Sequence, residues 1–177
     1  MRIKYYPHSI LGQDNQSDSP ALMFGMKPDG VLLSRDHPNR GLTVEEALVD
    51  DDVVMFFLCA RWFAPCREAT KLLTVARAYS DPYADVKIEV VYISADGEGN
   101  HDFENFVFDY DMNWLFINPG NELIGMVRKA YPMKAQPLIV AVTRDGAEKC
   151  RITNVVPTLR EAGEGASLQD LYDGCKE

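Results

Sequence analysis

The sequence predicts an α/β domain of three layers, a central mixed β-sheet with helices on both faces. Three observations carry that expectation. Val53-Val54-Met55-Phe56-Phe57-Leu58-Cys59-Ala60 is too apolar for an amphipathic edge and reads as a central strand covered on both sides. A helical stripe and a second apolar run, Ile88-Glu89-Val90-Val91-Tyr92-Ile93, follow at a spacing that suits a parallel crossover. Late in the chain, Asp145-Gly146 sits between two strand-like runs, so a hairpin adds antiparallel pairing to the same sheet.

The elements follow in order. Residues 1–29 are rich in polar and turn-forming types, centred on Gly12 to Pro20, and read as an arm over the domain. Val31-Leu32-Leu33 is a short strand after Gly30, and Thr43 with Glu46 forms a capping box that starts a helix near Val44. After the central strand, Ala69, Leu72, Leu73 and Ala76 make one apolar stripe that Tyr79 continues. Pro65 suits the first turn of that helix, and Ser80-Asp81-Pro82 ends it. Asp102 to Tyr110 puts Phe103, Phe106, Val107 and Tyr110 on one helical face. Trp114-Leu115-Phe116-Ile117 is short and apolar, and a turn at Asn118 to Asn121 leads into a helix over Glu122 to Tyr131. Leu138 to Val142 and Glu148 to Ile152 are the hairpin strands. Two half-helices close the chain, Val156 to Arg160 and Leu168 to Tyr172, with Ser167 capping the second. The expected division is an arm at 1–29, a domain at 30–163 and an acidic helical tail at 164–177.

Composition narrows the function. At 177 residues the chain suits one well-cored domain, and 46% hydrophobic with 25% charged residues is ordinary for a globular protein. A formal net charge of -9 argues against nucleic acid and anionic membranes as partners. No segment approaches the ~20 apolar residues of a membrane helix, and the first residues resemble neither a signal nor a transit peptide, so the expected location is cytoplasmic. No metal or cofactor is expected. His8, His37 and His101 lie far from any cysteine pair, which disfavours zinc. The loop from Asp96 to Asn100 superficially resembles a calcium loop, but its sixth position is His101 and its twelfth Val107, where Gly and a bidentate Glu are needed. The four cysteines, Cys59, Cys66, Cys150 and Cys175, match no disulfide scaffold and read as buried thiols.

The most informative stretch is Trp62-Phe63-Ala64-Pro65-Cys66-Arg67, where the central strand turns into a helix. With the strand before it, this stretch resembles the Trp-Cys-Pro-Pro-Cys-Arg site of the tryparedoxin and nucleoredoxin branch of the thioredoxin fold. Ile93-Ser94-Ala95-Asp96 resembles the Ile-Ser-Trp-Asp of tryparedoxins, and Met112-Asn113-Trp114-Leu115 resembles their Met-Pro-Trp-Leu. Gln136-Pro137-Leu138-Ile139 falls where the family has Ile-Pro-Thr-Leu, with the proline in cis. The resemblance covers Gly30 to Gly163 and implies a thioredoxin-like three-layer fold. It departs at Phe63, which stands where the family has its nucleophilic cysteine, at Ala64 for the first proline, and at Leu138 for the threonine.

Thiol–disulfide exchange begins with an attacking thiolate, which the family places at the helix N-terminus, where the macrodipole lowers its pKa. Phe63 cannot attack, and Cys66 stands where the family has its resolving thiol. The resemblance therefore implies two readings. The favoured one is a redox-inactive protein-binding or structural module, holding a protein partner, with Trp62, Phe63, Pro65, Gln136 and Pro137 lining the surface on which thioredoxin-like proteins hold an extended peptide. The arm and the acidic tail would join it to a larger assembly. The alternative is a thiol–disulfide oxidoreductase that works through Cys66, with Cys59 as its redox partner, on protein disulfides or low-molecular-weight thiols. Cys59 ends a strand and Cys66 begins the next helix, so a bridge between them is geometrically open. Arg67 reads as a solvated first-turn residue, Cys150 and Cys175 carry no partner signal, and Cys175 reads as an exposed, oxidisable thiol.

Overall fold

The computed structural model describes residues 32–34, 37–42, 51–96, 103–117, 119 and 121–175. In chain order the elements are β1 (Leu32–Ser34), β2 (His37–Leu42), β3 (Val53–Cys59), α1 (Ala64–Tyr79), β4 (Ile88–Ser94), α2 (Phe103–Asp109), β5 (Leu115–Ile117), α3 (Glu122–Ala130), β6 (Leu138–Thr143), β7 (Glu148–Ile152), α4 (Val155–Ala162) and α5 (Leu168–Cys175). The strands form one mixed sheet in the order β2-β1-β5-β4-β3-β6-β7. β3 pairs in parallel with β4 from Val53↔Ile88 to Cys59↔Ser94, and antiparallel with β6 from Val53↔Thr143 to Leu58↔Leu138.

The apolar run of β3 has a direct cause. Every one of its residues is buried, because alternate side chains enter two different cores. Met55, Phe57 and Cys59 join Ala69 and Leu73 of α1, Phe106 of α2, Leu159 of α4 and Leu171 of α5 on one face. Val54, Phe56 and Leu58 join Leu123 and Val127 of α3 on the other. Helices therefore cover both faces of the sheet, the thioredoxin-like α/β architecture that the sequence predicts.

Local chemistry sets the ends. Phe63 holds the extended N-cap position of α1, with Pro65 in its first turn, and the Ser80 N–H closes the last turn on Arg77 O. The Asn121 side chain caps α3 by accepting the Leu123 N–H at 2.9 Å. Ser167 and Asp170 cap α5 reciprocally, Ser167 N–H donating to Asp170 Oδ2 at 2.8 Å and Asp170 N–H to Ser167 Oγ at 3.2 Å. Gly146 has φ 86, the left-handed conformation that the Asp145-Gly146 turn requires.

Two strands escaped the sequence reading. β5 registers there only as an apolar stretch, yet it pairs in parallel with β4 and antiparallel with β1. β2 carries Pro38 and Gly41, which suits an edge strand, and among the described residues it pairs with β1 alone. The arm at 1–29, the helix near Val44 and residues 97–100 of the acidic loop lie outside the described residues. Among the described residues no helix is long and apolar enough to cross a membrane.

Candidate functional site

The site rises from the end of β3. A tight turn spans Ala60 to Phe63, closed by the Phe63 N–H on Ala60 O at 3.1 Å, and α1 begins with Cys66 and Arg67 donating their N–H groups to Phe63 O at 3.0 and 3.2 Å. Two side chains from elsewhere pin this turn. Arg67 Nη1 donates to Arg61 O at 3.0 Å and to Trp62 O at 2.8 Å. Asp96 Oδ2, beyond the end of β4, accepts the Arg61 N–H and the Ser94 hydroxyl, each at 3.2 Å. Arg67 is therefore not the solvated residue that its sequence position implies. The turn leaves carbonyls without helical partners, and a guanidinium one turn along can reach two of them.

The two aromatic residues separate. Trp62 is 66% exposed, whereas Phe63 is half-buried and packs against the core under α1, with ring centroids 5.8 Å apart. Behind Phe63, Cys66 is disulfide-bonded to Cys59 with Cα atoms 5.4 Å apart, and both residues are 0% exposed. The Ala60 N–H donates to Cys66 Sγ at 3.2 Å. Cys59 is fixed in turn, its carbonyl accepting Tyr92 Oη and the Ala95 N–H, both at 2.8 Å. Burial pushes the Tyr92 phenol far up, so it stays a donor at every ordinary pH. The site thus holds no thiolate at the helix N-terminus, and its one resolving-position sulfur is covalently engaged and sealed from solvent.

The second wall comes from β6. Leu138 pairs with Leu58, so Gln136 and Pro137 lie just past the end of β3, at the edge of the sheet from which the Ala60–Phe63 turn rises. The Gln136–Pro137 peptide is cis. Gln136 Oε1 is buried without a hydrogen-bond partner among the described residues. Pro65 is half-buried and Pro137 buried. Residues 50–148, more than half of the chain, match the family model described as thioredoxin-like.

The chain belongs to this thioredoxin-like family. Its solved structural neighbours share the fold. Tryparedoxin from Trypanosoma brucei is 22% identical with a TM-score of 0.60, covering 80% of this chain and 92% of its own. Tryparedoxin II from C. fasciculata is 21% identical with a TM-score of 0.61, covering 80% and 87%. The thioredoxin related protein 16 of Carcinoscorpius rotundicauda is 26% identical with a TM-score of 0.58, covering 80% and 94%. No curated protein matches the chain.

Beside these thioredoxin-like proteins, two features of the site went unread in the sequence. Asp96 enters there only as a family mark and a loop residue, yet it anchors the turn, and its Oδ1 is buried with no partner among the described residues. The other is a second bridge. Cys150 and Cys175 are disulfide-bonded with Cα atoms 5.7 Å apart, which corrects the reading of both as thiols without partners. Their separation of 25 residues carries no local signal, because only the packing of α5 beside β7 brings them together.

Proposed function

We propose that this thioredoxin-like protein binds an extended segment of a protein partner beside Trp62, Phe63, Pro65, Gln136 and Pro137, and does not turn over disulfides. One observation carries the reading: Phe63 holds the N-cap of α1, and Cys66 behind it is buried and bonded to Cys59. An exchange reaction needs an accessible attacking thiol, and this site offers none. One feature supports binding: Trp62 projects an exposed aromatic face of the type that anchors partners. The protein then works in the cytoplasm as part of a larger assembly.

The test is a disulfide reduction assay. The wild-type protein should show no turnover above a Cys66→Ser control. Phe63→Cys combined with Cys59→Ala restores a thiol at the helix N-terminus and releases Cys66 to resolve, so this variant should gain reductase activity. A folded double variant that stays inert would mean that the site has diverged beyond the one missing sulfur.

A second reading has its own observation. Cys59 and Cys66 form a bridge that includes the family's resolving position, which favours an oxidoreductase that cycles these two sulfurs against protein disulfides or low-molecular-weight thiols. A related structure is that of tryparedoxin II complexed with glutathionylspermidine. Turnover abolished by both Cys59→Ser and Cys66→Ser would decide for this reading.

A further inference from the structure

We infer that the Cys150–Cys175 bridge is a thiol-exchange site, and that low-molecular-weight thiols of the glutathione type open it and free the C-terminal helix α5 from the edge of the sheet. The two bridges differ in access. Cys59 and Cys66 are both 0% exposed, whereas Cys175 is the last residue of α5 and is only half-buried. Cys150, on the edge strand β7, is 8% exposed. A thiolate from solvent therefore reaches Cys175 Sγ first.

The chemistry balances. The incoming thiolate bonds to Cys175 Sγ, and the electron pair of the broken S–S bond leaves on Cys150 Sγ, which takes a proton from water. A second thiolate attacks the outer sulfur of the mixed disulfide, releasing an oxidised thiol pair and the Cys175 thiolate, which is also protonated. Two thiols are oxidised to one disulfide, and the protein bridge is reduced to two thiols.

The bridge adds a covalent tie to a short helix that also packs against α1, α4 and β7. α5 has eight residues, too few to persist without packing. Leu168, Leu171 and Tyr172 are buried beneath it, and the Leu168 N–H donates to Ser80 Oγ at 3.1 Å. Tyr172 carries this packing past the middle of the helix, and the Cys150–Cys175 bond is the covalent fastening at its end. The segment before it contains Gly163 and Gly165, both at φ 90, so the chain can swing there at low cost. Exposed Glu161, Glu164, Asp170 and Asp173 surround the hinge and the helix, with Arg160 paired to Glu68 at its start. Cutting the bond reopens a 25-residue loop, and the entropy regained raises local opening on the order of a hundredfold.

Reduced glutathione is the probe, applied to the full chain at pH 7, with thiols mapped by alkylation and mass spectrometry and helix opening read by amide hydrogen exchange. Cys150 and Cys175 should be alkylated at lower glutathione than Cys59 and Cys66. Exchange across 168–175 should rise on the order of a hundredfold while β3 and β6 stay protected. Cys175→Ser should show the same exchange with no glutathione present. The inference is overturned if Cys59 and Cys66 label first, if Cys150 and Cys175 label without any reductant, or if α5 exchanges equally in the oxidised and reduced chain.

Discussion

Arg67 shows how one side chain can hold the shape of a site. The turn from Ala60 to Phe63 must leave β3 and start a helix within four residues, and the Arg61 and Trp62 carbonyls within it are met by a side chain. Arg67 supplies hydrogen bonds to both of them, while Asp96 takes the Arg61 N–H from the opposite side. The guanidinium is only partly buried, so the interaction is worth less than two sealed charge-assisted bonds. We expect Arg67→Ala to cost about 1–2 kcal/mol in the urea midpoint and to increase hydrogen exchange at Trp62 and Phe63. Because both bonds come from the single nitrogen Nη1, Arg67→Lys should recover part of that loss, its ammonium having donors enough for the same two carbonyls. An unchanged midpoint in Arg67→Ala would assign the shape of the turn to Asp96 and to the packing of Phe63 alone.

At the level of elements, α1 and β4 are joined by a pair whose charge state depends on pH. Arg77 Nη2 on α1 donates to Glu89 Oε2 on β4 at 2.9 Å. Burial pushes the Glu89 carboxyl above its ordinary value of 4.5, outweighing the opposing pull of Arg77 and of the Val90 N–H. A carboxyl whose folded-state pKa is raised favours folding when protonated. Its contribution is therefore fully present below about 4.5 and is lost as pH rises through the higher folded value. Lowering pH from 7 should stabilise the wild-type protein relative to Glu89→Gln, as read from paired urea titrations at several pH values. The opposite slope would mean that Arg77 dominates burial. The same scale shows what was legible in the sequence. β3, β4, α1 and the Asp145-Gly146 hairpin could be read because each carries its own periodicity or turn residue. β5 has three residues, too few for a period, and β2 breaks any alternation with Pro38 and Gly41, so their pairing depends on neighbours that no local window contains. The site was legible at Phe63 and Cys66, whose spacing is local. Arg67 and Asp96 were not, because their partners are backbone atoms placed by the fold.

Across the whole molecule, two bridges and two cores hold one sheet together, and their relative weight can be measured. In the chain-entropy picture a bridge stabilises according to the loop it closes. The Cys59–Cys66 loop of 7 residues gives ~2.4 kcal/mol, and the Cys150–Cys175 loop of 25 gives ~3.5 kcal/mol. Stabilities of native domains run to about 15 kcal/mol, and with buried apolar cores on both faces of β3 we expect a total above the ~6 kcal/mol of the two bridges, so that the fold survives their loss. We therefore expect the fully reduced, alkylation-free protein to keep its far-UV circular dichroism and its sigmoidal urea transition, with the midpoint shifted by ~6 kcal/mol of stability in total. In that account Cys150→Ala with Cys175→Ala should carry the larger part of the loop-entropy shift, because its loop is longer. If reduction instead abolished the transition, the cores around Phe57 and Val140 would be too weak to specify the fold alone. The bridges would then be structural necessities, and no thiol could open either of them without unfolding the chain.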